Sequence, residues 1–290
     1  MRKKIDIYNF IIGFFLVLWG LLIFYPFYNA VLVSFMTEAE YMRNPFSLFV
    51  KNPTFSSYIE IFSDDKISNG YQSTLSIILI HLPLNLISTS SMAYALSRRP
   101  FPFSKFVNNA VVFTMYFGGG IIPLYLLIRS YGLMGSLWSV ILVGIVSPYN
   151  MILMKNFFRS IPGSMEESAK IDGTNDIVIF ARIYIPMALP IVATILLFVA
   201  ISKWNEWYNP MLFISKSKKW PLQLVLREII GNVNSRLQEE NLESEEMMRE
   251  TFLLNVQMAA VVVTMLPSML IYPLLQKYFM KGIMVGAVKS

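Results

Sequence analysis

The sequence predicts an all-α, polytopic membrane protein with six transmembrane helices. Hydrophobic residues make up 55% of its 290 residues and charged residues 14%, compared with roughly 25% charged in an ordinary soluble domain. The charged residues are clustered, and the uncharged runs between them reach the roughly 20 residues that cross the hydrocarbon layer. The predicted spans are 10–36, 72–97, 106–128, 137–158, 187–208 and 252–276.

The distribution of basic residues predicts that both termini lie in the cytoplasm. Lysine and arginine are concentrated in the cytoplasmic loops of membrane proteins, and short loops carry the clearest signal. The short loop between the second and third spans holds Arg98, Arg99 and Lys105 and no acidic residue. This orientation explains the net charge of +6 without a nucleic-acid partner. We therefore expect a multi-pass protein of the cell membrane.

Prolines predict that the spans are bent. In a membrane, proline kinks a helix and is tolerated where neighbouring helices or cavity water satisfy the freed backbone groups. We therefore expect a bundle of bent helices around a cavity. The prolines in or at the ends of the spans are Pro26, Pro83, Pro123, Pro148, Pro190, Pro267 and Pro273.

The polar loop between the fourth and fifth spans has the pattern of a helix–turn–helix. Ser164 followed by Glu167 has the spacing of a capping box, which predicts a helix start. Gly173 predicts the end of that helix. Thr174 or Asn175 can then cap a second helix that leads back to the membrane.

This loop resembles the cytoplasmic coupling motif of ABC-importer permeases, which reads E-A-A, three residues, G, about nine residues, then I-x-L-P. Glu167-Ser168-Ala169, Gly173 and Ile183-Tyr184-Ile185-Pro186 occupy those positions. Serine replaces the first alanine of the motif, and isoleucine replaces its leucine. The sugar-importer branch adds D-G and a phenylalanine, which are also present. The resemblance implies ATPase docking by Glu166, Glu167, Ser168, Ala169, Asp172, Gly173, Phe180, Ile185 and Pro186.

The fifth span ends in the strongest polar cluster at membrane depth, between Lys203 and Asn209. Ionisable residues in a span are costly and tend to face a cavity or a partner. Aromatic rings beside amide and carboxylate groups suit sugars, and the family has a similar pattern here. An interfacial aromatic belt is the alternative. The predicted substrate path comprises Tyr116, Tyr149, Asn150, Lys203, Trp204, Asn205, Glu206 and Trp207.

Two further segments resemble sugar-importer permeases. In those proteins a similar W-P-L stretch opens the loop that meets the extracellular binding protein, which implies contacts by Lys218, Lys219, Trp220 and Pro221. A solvated loop without a partner is the alternative. The C-terminal tail is similar to the end of the smaller of two sugar permease subunits. It implies contacts with the ATPases by Lys281, Gly282, Gly286 and Lys289.

The sequence contains no pattern for catalysis or metal binding. The glycine run 118–120 lacks the Lys-Ser/Thr that follows the glycines of a phosphate-binding loop. There is no cysteine, and the single histidine, His81, lies in an apolar run. We expect a buried, hydrogen-bonded histidine there. The chain is therefore expected to be a non-enzymatic subunit without cofactors, while ATP and Mg²⁺ bind on partner ATPase subunits.

Taken over nearly the whole chain, the resemblance implies the type I ABC importer permease fold and import of a sugar, an oligosaccharide, delivered by an extracellular binding protein. The implied partners are a second permease in a heterodimer, two ATPase subunits, the binding protein and the lipid bilayer. A permease for a non-sugar solute and an ion-coupled secondary transporter are the alternatives.

The sequence is expected to divide into three regions. The first span and its outer loop occupy 1–71, the permease core occupies 72–276, and a cytoplasmic tail occupies 277–290. The core includes a coupling loop (159–186) and an outer loop (209–251).

Overall fold

A computed structural model describes residues 7–98, 102–236, 249 and 251–270. No β-strand occurs among these residues, and the predicted all-α class is confirmed. A π-helical turn, Phe180–Tyr184, and a 3-10 turn, Ser217–Lys219, are also present. The helices are α1 (Ile7–Phe35), α2 (Glu38–Arg43), α3 (Ser56–Ser63), α4 (Asp65–Ser97), α5 (Ser104–Tyr116), α6 (Ile121–Ser130), α7 (Trp138–Ile141), α8 (Pro148–Ser160), α9 (Gly163–Ile171), α10 (Asp176–Ile179), α11 (Ile185–Met187), α12 (Leu189–Trp204), α13 (Tyr208–Phe213), α14 (Leu222–Arg236) and α15 (Thr251–Leu270).

The chain divides into two compact units, and one of them combines Met1–Ser68 with Leu226–Pro267. Within this unit, Asn255 of α15 donates to the carbonyl of Met36, which follows α1, over 3.1 Å. The hydroxyl of Tyr58 in α3 lies 2.7 Å from Ser34 Oγ. Burial raises the pKa of the Tyr58 hydroxyl, and this hydrogen bond opposes the increase. The first contact joins α15 to the segment that follows α1, and the second joins the short helix α3 to the end of α1.

The other unit combines Asn69–Val225 with Ser268–Ser290. Its main apolar core joins α4, α8, α9, α10 and α12, whose hydrophobic side chains pack against one another. The core therefore connects the long helices to the predicted coupling loop. Its most deeply buried members include Ala93, Met151, Met154, Phe158, Ile179, Tyr184 and Ile195.

One glycine of this unit is required by a close approach between helices. A Cβ added to Gly70 in α4 would lie 3.1 Å from the Cα of Leu222 at the start of α14. The amide of Leu222 also donates to the Thr74 hydroxyl over 2.9 Å. Since Thr74 lies one turn beyond Gly70, the missing side chain lets α14 begin directly against α4.

The structure agrees with most of the predicted spans but does not confirm their number. In the described ranges, three helices are long and apolar enough to cross a membrane: Phe10–Phe35, Asp65–Ser97 and Thr251–Leu270. Two bent pairs raise the number to five if each pair counts as one span. The pair α5 and α6 bends by 116°, and the segment Asp176–Met187 bends by 82° against α12. The first bend lies inside the predicted third span, 106–128, and the second lies at the start of the predicted fifth span, 187–208. Both agree with the prediction that the spans are bent.

The predicted fourth span, 137–158, is not one continuous helix. It consists of the short helix α7 and the longer α8, and residues 142–147 between them have no regular helix. Gly144 has a φ of 74°, which is a left-handed conformation that interrupts a right-handed helix. Ser147 then caps α8, and Pro148 occupies its first turn. The sequence prediction missed this break because it relied on the hydropathy of the whole stretch, which is apolar on both sides of the break.

Candidate coupling surface and transport cavity

The polar loop between α8 and α12 forms the predicted helix–turn–helix. The first helix, α9, ends at Asp172, and Gly173 follows with a φ of 76°. The side chain of Asn175 accepts a hydrogen bond from the Val178 amide over 2.9 Å and caps α10. The break and the second cap are therefore confirmed, with Asn175 rather than Thr174 as the capping residue.

The predicted capping box at the start of α9 is wrong. The helix begins at Gly163, and Pro162 is the N-cap without a side-chain hydrogen bond. Ser164 therefore lies inside the first turn, where its hydroxyl is not at the capping position. The prediction failed because Pro162 and Gly163 begin the helix one residue before the serine.

The exposed face of α9 and α10, which we call the coupling surface, carries both acidic and apolar side chains. Glu167, Ser168 and Asp172 are exposed, as is Gly173, whereas Ala169 is buried in the core. Of the other predicted docking residues, Pro186 is exposed, and Glu166, Phe180 and Ile185 are half-buried.

Two large apolar residues on this face were missed by the sequence analysis. Ile171 is 86% exposed and Ile177 is 78% exposed. In a polar loop, apolar side chains this exposed can supply the apolar contact area of an interface. Their positions on either side of Asp172-Gly173, in an otherwise polar loop, were the signal that could have revealed them.

An ionic and aromatic cluster fixes the inner face of α9. Arg98, just after α4, pairs with the carboxylate of Glu166. The Arg98 guanidinium also lies 4.7 Å from the ring centroid of Tyr94 and 4.8 Å from that of Tyr184. The side chains of Arg98 and Glu166 are only 16% and 19% exposed. This arrangement combines charge pairing with two cation–π contacts.

The same cluster extends to α10 through Lys170. Its ammonium lies 2.9 Å from Glu166 and 3.3 Å from Asp176. The hydroxyl of Tyr94 donates to the Asp176 carbonyl over 3.3 Å. The end of α4 is thereby tied to both helices of the coupling surface. Adjacent glutamates consequently have different environments: Glu166 is paired inside, and Glu167 faces outward.

A cavity of about 530 Å³ lies beside the end of α12. Four predicted substrate-path residues line it: Tyr149, Asn150, Lys203 and Glu206. His81 and Asn85 of α4 also line it, although sequence reasoning treated the histidine only as a buried residue and did not consider the asparagine. The cavity thus brings together polar groups from α4, α8 and α12.

The remaining predicted path residues lie outside that cavity lining. Trp204 is buried near the Tyr71 ring, with centroids 6.1 Å apart. Asn205 donates to the Ile201 carbonyl over 3.0 Å, and Trp207 packs against the ring of Tyr208. Tyr116 is exposed at the end of α5.

The predicted binding-protein loop divides into a packed part and an exposed part. Trp220 donates to the Ile214 carbonyl over 2.8 Å, and Pro221 is buried. Lys218 and Lys219 are exposed. The tryptophan therefore anchors the loop, whereas the two lysines face solvent. The predicted tail contacts, Lys281, Gly282, Gly286 and Lys289, lie outside the described residues.

Comparisons with known proteins place the chain in a family. Residues 7–285 match the family model described as the binding-protein-dependent transport system inner membrane component. The polygalacturonan/rhamnogalacturonan transport system permease protein YtcP of Bacillus subtilis (strain 168) is 38% identical over 290 residues, which cover 99% of this chain and 100% of that protein. The diacetylchitobiose uptake system permease protein NgcG of Streptomyces coelicolor is 25% identical, over 94% of this chain and 87% of that protein.

A solved structure shows the same fold. A bacterial ABC transporter involved in the import of the acidic polysaccharide alginate contains a chain that matches with a TM-score of 0.85 and 29% identity, over 96% of this chain and 99% of that chain. Permeases of this kind are non-catalytic subunits of the inner membrane, and they work with a second permease, ATPase subunits and a substrate-binding protein. The chain belongs to the family of binding-protein-dependent transport system inner membrane components.

Proposed function

We propose that this chain is one of two permease subunits of an ATP-driven importer that takes up an oligosaccharide delivered by an extracellular binding protein. The observation that supports the sugar class is the similarity over nearly the whole chain to permeases whose names specify saccharides. Two of the matches concern polygalacturonan and the acidic polysaccharide alginate. Oligosaccharides that contain uronic acids are therefore the first class to test.

The coupling surface gives this proposal a mechanism. ATP and Mg²⁺ bind on the partner ATPase subunits, and closure of those subunits moves the coupling surface. Ile171 and Ile177 supply apolar contact area, while Glu167 and Asp172 can pair with basic groups of the ATPase. The contacts of Arg98 transmit the movement to α4, one helix that lines the cavity. Alternating closure of the ATPases thereby changes access to the cavity.

Reconstitution tests the proposed substrate class. The chain is reconstituted in vesicles with its partner permease, the ATPases and the binding protein. Uronic-acid oligosaccharides of a few residues are then expected to stimulate ATP hydrolysis by the complex. Neutral oligosaccharides and amino acids serve as comparison solutes. Stimulation by amino acids alone would contradict the sugar assignment, and solute accumulation without ATP would favour the ion-coupled alternative.

Orientation and binding-protein contact can be tested together, because the sequence contains no cysteine. Both Ser217 and Ser164 are exposed. We propose that the termini are cytoplasmic, which places Ser217 outside the cell and Ser164 inside. Ser217→Cys should then react with a membrane-impermeant maleimide added from outside. Ser164→Cys should react only after the membrane is permeabilised. Because Ser217 precedes the exposed Lys218 and Lys219, added binding protein should slow the labelling of Ser217→Cys. The reverse accessibility would refute the orientation, and labelling unaffected by saturating binding protein would refute the contact.

A further inference from the structure

The break between α7 and α8 exposes a run of backbone carbonyls to the protein interior. Five carbonyls at the break accept no hydrogen bond from the backbone of the turns and loops that the structure describes. They belong to residues 140, 141, 143, 144 and 145. Within a membrane, non-helical backbone is tolerated only where protein groups or cavity water satisfy it. An unsatisfied polar group there costs several kcal/mol. These carbonyls consequently need other donors.

Three buried side chains from α4 and α12 supply those donors. His81 Nδ1 lies 2.6 Å from the Ile141 carbonyl oxygen. Asn85 donates to the carbonyls of residues 144 and 145 over 3.4 and 2.9 Å. Lys203 donates to those of residues 140 and 143, each over 3.1 Å. We call His81, Asn85 and Lys203 the clasp. Together they satisfy all five carbonyls.

Protein groups surround the ammonium of Lys203. A lysine ammonium has three N–H groups; two point to the carbonyls of the break, and the Glu206 carboxylate lies 3.9 Å from Nζ. Glu206 in turn accepts from the side-chain amide of Asn209 over 3.2 Å. Lys203 is only 7% exposed. The ammonium of Lys203 therefore interacts with protein groups, although the residue lines the cavity.

We infer that the clasp residues are positioning residues, which hold the broken segment 142–147 against α4 and α12 and so shape one wall of the cavity. This inference rests on the proposed function only in identifying that cavity with the transport path. Val143, Gly144, Val146 and Ser147 all belong to the cavity lining. Release of the segment would therefore alter the path itself. Lys203 therefore acts on transport through the backbone of this segment.

The inference is tested by labelling a single cysteine at Val146, which is half-buried in the cavity wall. In the assembled transporter, Lys203→Met should raise the rate at which Val146→Cys reacts with a small maleimide by about tenfold, since loss of about 1.4 kcal/mol of holding energy changes an opening equilibrium by that factor. Lys203→Arg should restore slow labelling, because a guanidinium also donates to several carbonyls. Asn85→Leu provides a second variant if Lys203→Met fails to insert.

Lys155→Met is the matched control. Lys155 is as buried as Lys203, at 7% exposed, but it donates to Asn108 of α5 rather than to the broken segment. Its loss should leave the labelling of Val146→Cys unchanged. Unchanged labelling in both Lys203→Met and Asn85→Leu would overturn the inference, as would a changed solute KM with normal labelling. The labelling requires no solute, so it remains decisive even if oligosaccharides fail to stimulate ATP hydrolysis and the proposed function is wrong.

Discussion

Replacement of Gly173 by valine is expected to abolish solute-stimulated ATP hydrolysis while the chain still inserts into the membrane. Gly173 has a φ of 76° and joins α9 to α10. A residue with a Cβ pays roughly 1–2 kcal/mol for this conformation, and a β-branched residue is the least tolerated. No atom lies within 4 Å of the added Cβ. The cost thus comes from the backbone, and it is relieved when the angle between the two helices changes.

A changed angle between α9 and α10 would shift Ile171 relative to Ile177 and misalign the coupling surface. Gly163→Ala is the matched control, because Gly163 lies at the start of the same helix α9, has no positive φ and also has no atom within 4 Å of an added Cβ. Membrane abundance and ATP hydrolysis are measured for both variants. Normal stimulated hydrolysis in Gly173→Val would show that the geometry of the turn does not matter for coupling.

Replacement of Arg98 by glutamate is expected to reduce transport by about tenfold or more, with ATP hydrolysis no longer responsive to solute. The change places two carboxylates together and removes both cation–π contacts. Loss of one partner of a buried ion pair costs about 3–5 kcal/mol, and partial exposure reduces this to about 1–3 kcal/mol here. Such a cost would release α9 from the end of α4.

A charge swap distinguishes pairing from a general loss of structure. Arg98→Glu combined with Glu166→Arg restores opposite charges, so it should recover part of the transport. Recovery is partial because a carboxylate between the Tyr94 and Tyr184 rings is unfavourable, since the ring faces carry negative potential. Arg98→Lys should retain more activity than Arg98→Glu, since an ammonium keeps the charge and the cation–π contacts. The ratio of solute transported to ATP hydrolysed is the measurement, and wild-type coupling in Arg98→Glu would contradict the role of this pair.

The two adjacent glutamates of the coupling loop show that similarity to a motif does not by itself assign the role of each residue. Both Glu166 and Glu167 were predicted to dock against an ATPase. In the structure, Glu166 faces Arg98 and Lys170, whereas Glu167 faces outward. Successive helical residues point about 100° apart, so one carboxylate can stabilise the loop while its neighbour remains available to a partner. The position of α4, which brings Arg98 to Glu166, decides that Glu166 is the paired residue and Glu167 the exposed one.

The helix–turn–helix was predictable because its signals are local. Gly173 ends α9 through its own backbone conformation, and Asn175 caps α10 through an amide three residues away. The failed capping box at Ser164 shows the limit of such signals. Helix starts predicted from such a pattern are uncertain by one or two residues, and here the helix begins after Pro162 rather than after Ser164.

By itself, the sequence determined the all-α class, the long apolar helices, the coupling motif and the turn within it, because these depend on composition and on contacts a few residues apart. Tertiary structure alone decided that Arg98 pairs with Glu166, that the predicted fourth span is broken, and that His81, Asn85 and Lys203 satisfy the carbonyls at the break. Those partners lie about 60 residues or more apart in the chain. Hydrogen bonds and ion pairs act over a few ångströms, and only packing of the helices brings such distant groups within that range.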